Sequence, residues 1–282
     1  MENYILQMKG IYKEFPGVKA LQGVDFNLKP GEVHALIGMN GSGKSTLIKI
    51  LAGIYQRDAG DILINGKKVE TINPYIAKEL GISTVYQDPQ MISTFSGFEN
   101  IYLGSETEGR SVFKTINRLE MRKRAQKLLE KYPFQIDLNK PVYELETVEK
   151  ETIAVLRALS QQKTTVLVLD EPTSILTRRE IDVLFKQIDI LKKNGIAIIY
   201  ITHRLDEIFQ VADRFTVFRD GQNVGTYDCK EEGINSSKIT ELMLGKKVGQ
   251  VFPEKICEQG DEYLRLENLS QEKLFSFRGE EL

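Results

Sequence analysis

Cysteine is almost missing from these 282 residues. Cys229 and Cys257 lie far apart and without metal-ligand spacing, which makes a reducing compartment the natural setting. Charge of one sign is missing as well. Lys and Arg number 38 against 40 Asp and Glu, well mixed along the chain, so a nucleic-acid surface spread over the molecule is excluded. Long apolar runs are missing: the longest toward the C-terminal half, residues 196–201, is far short of the roughly 20 residues that span a bilayer. The opening MENYILQMKG has an early acid and no signal-peptide core. The expectation is a soluble, intracellular chain that meets a membrane only through a partner. Apolar material is not short. At 41% it suffices for a sizeable core, in one large domain or two small ones.

The stretch GMNGSGKST, residues 38–46, matches G-x-x-x-x-G-K-[ST] with Gly38, Gly43, Lys44 and Ser45 in the fixed places. An apolar strand pattern, 34–37, precedes it, and LIKILAGIY, 47–55, follows with helical spacing. Strand, glycine-rich loop and helix form a phosphate site, because glycines let backbone N–H groups curl around an anion at a helix start. Asn40, Gly41, Ser42 and Thr46 complete the loop. Lys44 is expected to reach the β- and γ-phosphates and Ser45 to ligate Mg²⁺.

Around this loop the chain alternates between β and α patterns. Residues 4–9 read as a first strand, followed by a turn, then FPGVKAL (15–21) and a second strand at about 23–28. GDILINGKKV, 60–69, breaks its period-2 alternation at Asn65-Gly66, a hairpin signal that places an antiparallel layer beside the nucleotide core. Residues 76–80 read as a short helix and 82–87 as a strand. From 88 to about 139 the pattern is helical, including a charged helix at 119–131 that reads as a solvated face. Strands at 165–170 and 196–202 are apolar without alternation and flanked by helices at 179–193 and 205–211, the mark of a parallel sheet covered on both faces. A hairpin around Asp220-Gly221 (215–227) and a helix at 236–244 follow. A linker-like stretch then leads to 262–270, where the opening alternation restarts. A strand is not stable alone, so a second copy of the domain is expected to begin there. The resulting boundaries are a domain over 1–245, a linker over 246–261 and the start of a second domain over 262–282.

Ligands bind at the carboxyl ends of parallel strands. Asp170 and Glu171 follow the four apolar residues of VLVLDEP (166–172) and would emerge beside the phosphate loop, Asp170 holding Mg²⁺ and Glu171 polarising a water. His203 ends the next buried strand and comes toward the same crevice, where an imidazole can contact a γ-phosphate. A structural histidine is the alternative there, and His34, inside a strand, reads as packed. Gln87 ends the strand 82–87, where its amide can complete a metal shell. Phe15 can stack on a base or fill the core.

Taken in order, FPGVKAL, GMNGSGKST, Gln87 with its helical insert, VLVLDEPTS and ITHR resemble the ATP-binding subunit of ABC transporters, over residues 4–244. Ser174-Ile175-Leu176-Thr177 after Glu171 is similar to the S-x-L-T of bacterial importers of monosaccharides such as ribose and galactose, which fuse two nucleotide-binding domains in one chain. The resemblance implies a P-loop NTPase (RecA-like) α/β core with an antiparallel β subdomain and an α-helical subdomain. Phe15 would stack on adenine, and Lys44, Ser45 and Thr46 would hold phosphates. Gln87 and Asp170 would join Ser45 on Mg²⁺, Glu171 would be the catalytic base, and His203 the switch histidine. It also implies ATP hydrolysis at the cytoplasmic face of the membrane, with a transmembrane permease docked on the segment from Gln87 to about Gly104. A second nucleotide-binding domain and, indirectly, an extracytoplasmic sugar-binding protein would be further partners, and no nucleic acid.

One departure is large. Where the family's L-S-G-G-Q signature opens the helix before the acid pair, this chain reads Leu145-Glu146-Thr147-Val148-Glu149. Two carboxylates there would repel the γ-phosphate of an opposite domain, while Thr147 could cap the helix and the acids suit its first turn. Two other readings compete with a sugar-import ATPase. A paired ATPase acting on ribosome or DNA usually carries a basic linker or coiled coil, and 245–261 has neither. A non-hydrolysing nucleotide sensor is opposed by Lys44, Glu171 and His203.

Overall fold

A computed structural model describes residues 3–105, 116–160 and 164–246. The expected second domain lies outside them, as does all but the first residue of the expected linker. The centre is a six-stranded sheet in the order β10-β9-β3-β8-β7-β6. Its strands are β3 (Val33–Gly38), β6 (Ile82–Val85), β7 (Val166–Asp170), β8 (Ala197–Ile201), β9 (Arg214–Arg219) and β10 (Gln222–Asp228). All neighbours are parallel except β10, which closes the edge antiparallel to β9. The inner strands are continuous apolar runs because both faces are covered.

A second sheet, antiparallel, has the order β2-β1-β4-β5 with β1 (Leu6–Phe15), β2 (Val18–Leu28), β4 (Ala59–Ile64) and β5 (Lys67–Val69). Helix α1 (Lys44–Leu51) lies in the core the two sheets share, with Leu47, Ile48, Ile50 and Leu51 fully covered among Val166, Val168 and Ile199. Alternation along β7 and β8 sends Leu167, Leu169, Ile198 and Tyr200 to the opposite face, against α5 (Thr147–Leu159) and α6 (Arg178–Lys193). Each such buried aliphatic side chain contributes about 1.5–3 kcal/mol relative to exposure. Helices α7 (Leu205–Val211) and α8 (Ser236–Leu244) cover the β3–β9 end, and α2 (Pro74–Glu79) packs on β6. The insert contains α3 (Gly97–Ile101) and α4 (Arg118–Lys131), which buries only Met121 and Ala125 and is otherwise the expected solvated helix.

Several expected boundaries move. The turn after Phe15 is only Pro16-Gly17, and β2 runs unbroken from Val18 through the positive-φ Gly23. Helix α1 begins at Lys44, inside the phosphate motif, and ends at Leu51, before Gly53 at φ 76°. Strand β6 stops at Val85, so Gln87 lies two residues past its end rather than at it. Both predicted hairpins hold. Asn65-Gly66 and Asp220-Gly221 each have two successive positive φ values, as a type I′ turn requires.

Candidate nucleotide site

Strand order places the site. β3, which delivers the phosphate loop, neighbours β8, which delivers His203, and β8 neighbours β7, which delivers the acid pair; all three run in one direction. Gly43 is the N-cap of α1 at φ 103° and offers no side-chain cap, so the first N–H groups of the helix remain available to an anion. A Cβ on Gly43 would stand 2.7 Å from the Ala20 carbonyl oxygen, which is why the loop needs glycine there. Lys44 is buried and donates to the carbonyls of Gly38 (2.8 Å) and Met39 (3.1 Å). Burial lowers its pKa, opposed by Glu171 and then Asp170. Ser42 is buried, while Asn40, Gly41 and Ser45 are exposed and Thr46 half-buried.

A support that sequence reading missed lies under this loop. The Gly221 N–H donates to the Ser42 carbonyl at 3.2 Å, and Gln22 donates to the carbonyls of Gly221 and Asp220 at 2.8 and 2.9 Å. The β9–β10 turn thereby ties the phosphate loop to β2. Only the turn signal at Asp220-Gly221 was visible beforehand.

Asp170 is the last residue of β7, and Glu171 follows in the left-handed region at φ 49°. That conformation is uncommon for a residue with a Cβ. The Glu171 N–H donates to the Ile201 carbonyl at 3.0 Å, and its Oε1 lies 3.3 Å from His203 Nδ1. Burial, then Glu171, raises the Asp170 carboxyl, with Lys44 pulling the other way. Lys44, Asp170, Glu171 and His203 are therefore assembled as expected. The two acids lie within electrostatic reach of Lys44, and Lys49 also acts on Asp170. Hard oxygen donors such as theirs fit a small divalent cation. Among the described residues no cluster of three or more His, Cys, Asp and Glu could hold a metal by itself, so such a cation would also need oxygens from a bound phosphate.

Phe15 ends β1, half-buried, with Tyr55 edge-on at 5.3 Å and the Lys13 ammonium 5.3 Å above its ring. Tyr55 had not been singled out. Gln87 is exposed. His34 is packed, as expected, with Nε2 2.8 Å from the Thr216 hydroxyl. Beside Gln87, a cavity of about 450 Å³ opens along β6, lined by Ile54, Val85, Tyr86, Met91, Ile153 and Arg157 among others.

The helix expected to carry a signature has a different cap from the one the sequence suggested. Glu146, not Thr147, is the N-cap of α5, and Glu146 and Glu149 form a reciprocal capping box, with Glu146 N–H donating to Glu149 Oε2 at 2.9 Å. The reason is geometric: a carboxylate at the cap and another at the third helical position satisfy two orphan donors at once. Glu180 of α6 adds a third carboxylate, accepting from Val148 N–H at 3.4 Å.

The chain is similar to curated proteins across nearly its whole length. It is 43% identical to the ribose import ATP-binding protein of Clostridium tetani over 95% of this chain and 52% of that one. To the galactose/methyl galactoside import ATP-binding protein of Photobacterium profundum it is 40% identical over 98% of this chain and 54% of that one. The chain thus spans about half the length of the curated relatives it matches. Among solved structures, a nucleotide-free ATP-binding cassette from an ABC transporter superposes with a TM-score of 0.73 at 27% identity, covering 89% of this chain and all of that one. The P-loop fold of ABC ATPase cassettes is therefore this chain's fold. The family described as ABC transporter matches residues 21–174, more than half of the chain, from within β2 to just past the acid pair, and the chain belongs to that family.

Proposed function

We propose that this chain binds and hydrolyses ATP to energise import of a monosaccharide through a membrane permease. The observation that carries the reading is the placement of His203 3.3 Å from Glu171, beside a phosphate loop whose lysine senses both acids. The names of the curated relatives, ribose and galactose import ATP-binding proteins, support a sugar as cargo.

In this reading Phe15 stacks on adenine, and the backbone of 38–46 with Lys44, Ser45 and Thr46 holds the phosphates. Glu171 orients and deprotonates the attacking water while His203 steadies it and the γ-phosphate. Ser45, Asp170 and Gln87 would hold Mg²⁺, whose charge offsets that of the phosphate oxygens. The described residues include no helix long and apolar enough to cross a membrane, so transport requires a permease. We assign its docking to residues 88–104 and the cavity beside them, which puts the chain at the cytoplasmic face. The hydrolytic partner is a second nucleotide-binding domain, in the same full-length chain or in a second copy, with this domain spanning 1–245. Uptake of labelled ribose and galactose by vesicles holding the full transporter, with and without ATP, tests the reading. Uptake that proceeds unchanged without ATP would refute it.

A further inference from the structure

One carboxylate in contact with the residues on either side of His203 has no part in the hydrolytic reading. Glu207, in the first turn of α7, is 1% exposed. Its Oε2 accepts from the Tyr200 hydroxyl at 2.8 Å and the Thr202 hydroxyl at 2.9 Å. Thr202 Oγ1 in turn accepts the Arg204 N–H at 3.0 Å. The Arg204 guanidinium reaches Glu207 Oε1 at 3.1 Å, out of hydrogen-bond alignment. Every residue flanking His203 is thus tied to this one side chain.

Strand alternation gives the contacts a direction. Tyr200 and Thr202 face one side of β8 and its extension, and Ile201 and His203 the other. On the second side His203 meets the Glu171 carboxylate, while in the plane of the sheet the Ile201 carbonyl accepts the Glu171 N–H and holds Glu171 against β8. A buried carboxylate is costly, and an apolar side chain of the same volume generally packs at least as well, so packing does not account for an acid here. Its two hydroxyl contacts do account for it.

We propose that Glu207 is a positioning residue for the hydrolytic step, fixing through Tyr200 and Thr202 where β8 leaves the sheet and so the side on which His203 meets Glu171. The proposal rests on the reading of Glu171 and His203 given above. It is tested by NMR of the intact chain with labelled histidine, since the chain has two histidines and the buried His34 serves as an internal control. In the wild-type background, Glu171→Gln is expected to shift the His203 ring resonances. In a Glu207→Leu background that response should be lost, with His34 resonances and MgATP affinity unchanged. Glu207→Gln, whose amide oxygen can accept both hydroxyls, should restore it. In the paired ATPase Glu207→Leu should lower kcat by about 10- to 100-fold at unchanged KM.

A full wild-type response in Glu207→Leu would overturn the proposal, as would a folded Glu207→Gln chain that has lost the response just as completely. Thr202→Val removes one hydroxyl at constant shape and should give a partial loss. It keeps the test available should leucine at 207 prevent folding, and an undiminished response there would also overturn the proposal. Failure of the hydrolytic reading has a separate signature: Glu171→Gln would leave turnover intact while the coupling between Glu207 and His203 persisted.

Discussion

At the scale of one residue, the proposed nucleotide site turns on Lys44. Its ammonium is buried against the loop's own carbonyls and feels both acids, so phosphate oxygens entering the loop meet a charge already desolvated and aimed. A charge-assisted hydrogen bond is worth about 1.5–3 kcal/mol, and Lys44→Ala should weaken ATP binding by about 10- to 100-fold. Glu171→Gln should spare affinity and cut turnover by on the order of 10²-fold or more, because the amide cannot take a proton. Fluorescent-nucleotide titration beside phosphate release separates the two, and near-normal release from the Gln variant would remove Glu171 from the chemistry. The phosphate loop, the acid pair and His203 were legible in the sequence because each follows a short apolar run that can only be a buried strand. Gly221 and Glu207 were not. Their roles arise from contacts across the fold, such as Gln22 to Asp220, 198 residues apart, which no local pattern announces.

Individual elements are joined by a buried ionic network, and its titration sets acid stability. Glu32, just before β3, accepts from Arg214 of β9 at 2.6 Å and from the Lys29 N–H after β2, also at 2.6 Å, while Arg214 reaches the Asn27 side chain at 3.0 Å. Burial alone would raise the Glu32 carboxyl, but contacts with His34 and Arg214 outweigh it and hold its pKa at about 2, below the ordinary 4.5. This stabilisation, about 3 kcal/mol, is complete above pH 4.5 and drains as pH falls toward 2. Burial lowers the pKa of His34, so it too favours the fold above its ordinary 6.5 and opposes it as acid charges the unfolded chain. Thermal unfolding should therefore show a steady fall in Tm from pH 7 to pH 3. Arg214→Met, which removes the guanidinium from Glu32 and leaves it the Lys29 N–H and His34, should cost about 3–5 kcal/mol at neutral pH and flatten the acid limb. An acid limb as steep as wild type in that variant would locate the titration elsewhere. The insert makes a second prediction. Ile92 and Phe95 are exposed, and the backbones of both bond to Asn100, which lines the cavity along β6. Changing both to Asp should leave nucleotide binding alone and reduce co-purification with the permease, and undiminished recovery would move the interface.

For the whole molecule the proposed function raises the question of pairing, and we place its outcome at the N-terminus of α5. An opposite domain's γ-phosphate would meet Glu146 and Glu149 there, each already holding the other's backbone N–H, with Glu180 on a third. A carboxylate about 6 Å from one phosphate charge costs roughly 3 kcal/mol at an effective dielectric near 20, before screening. The serine hydrogen bond implied by the family's signature is missing too, a further loss of about 1.5–3 kcal/mol. Each term rivals the whole margin of a weak dimer. The 282-residue chain alone should therefore bind MgATP as a monomer and hydrolyse it poorly, although its own phosphate loop, Glu171 and His203 are assembled. Glu146→Ser, Val148→Gly and Glu149→Gln made together free the helix N-terminus for an anion. In a Glu171→Gln background they should produce ATP-dependent dimers, more strongly still with Glu180→Gln added. With Glu171 intact, the same triple change should raise turnover. Light scattering with and without ATP reads the first outcome and phosphate release the second. If the unaltered chain already dimerises with ATP and turns over freely, the repulsion assigned to these carboxylates is wrong, and the opposite phosphate must be met by some other part of the surface.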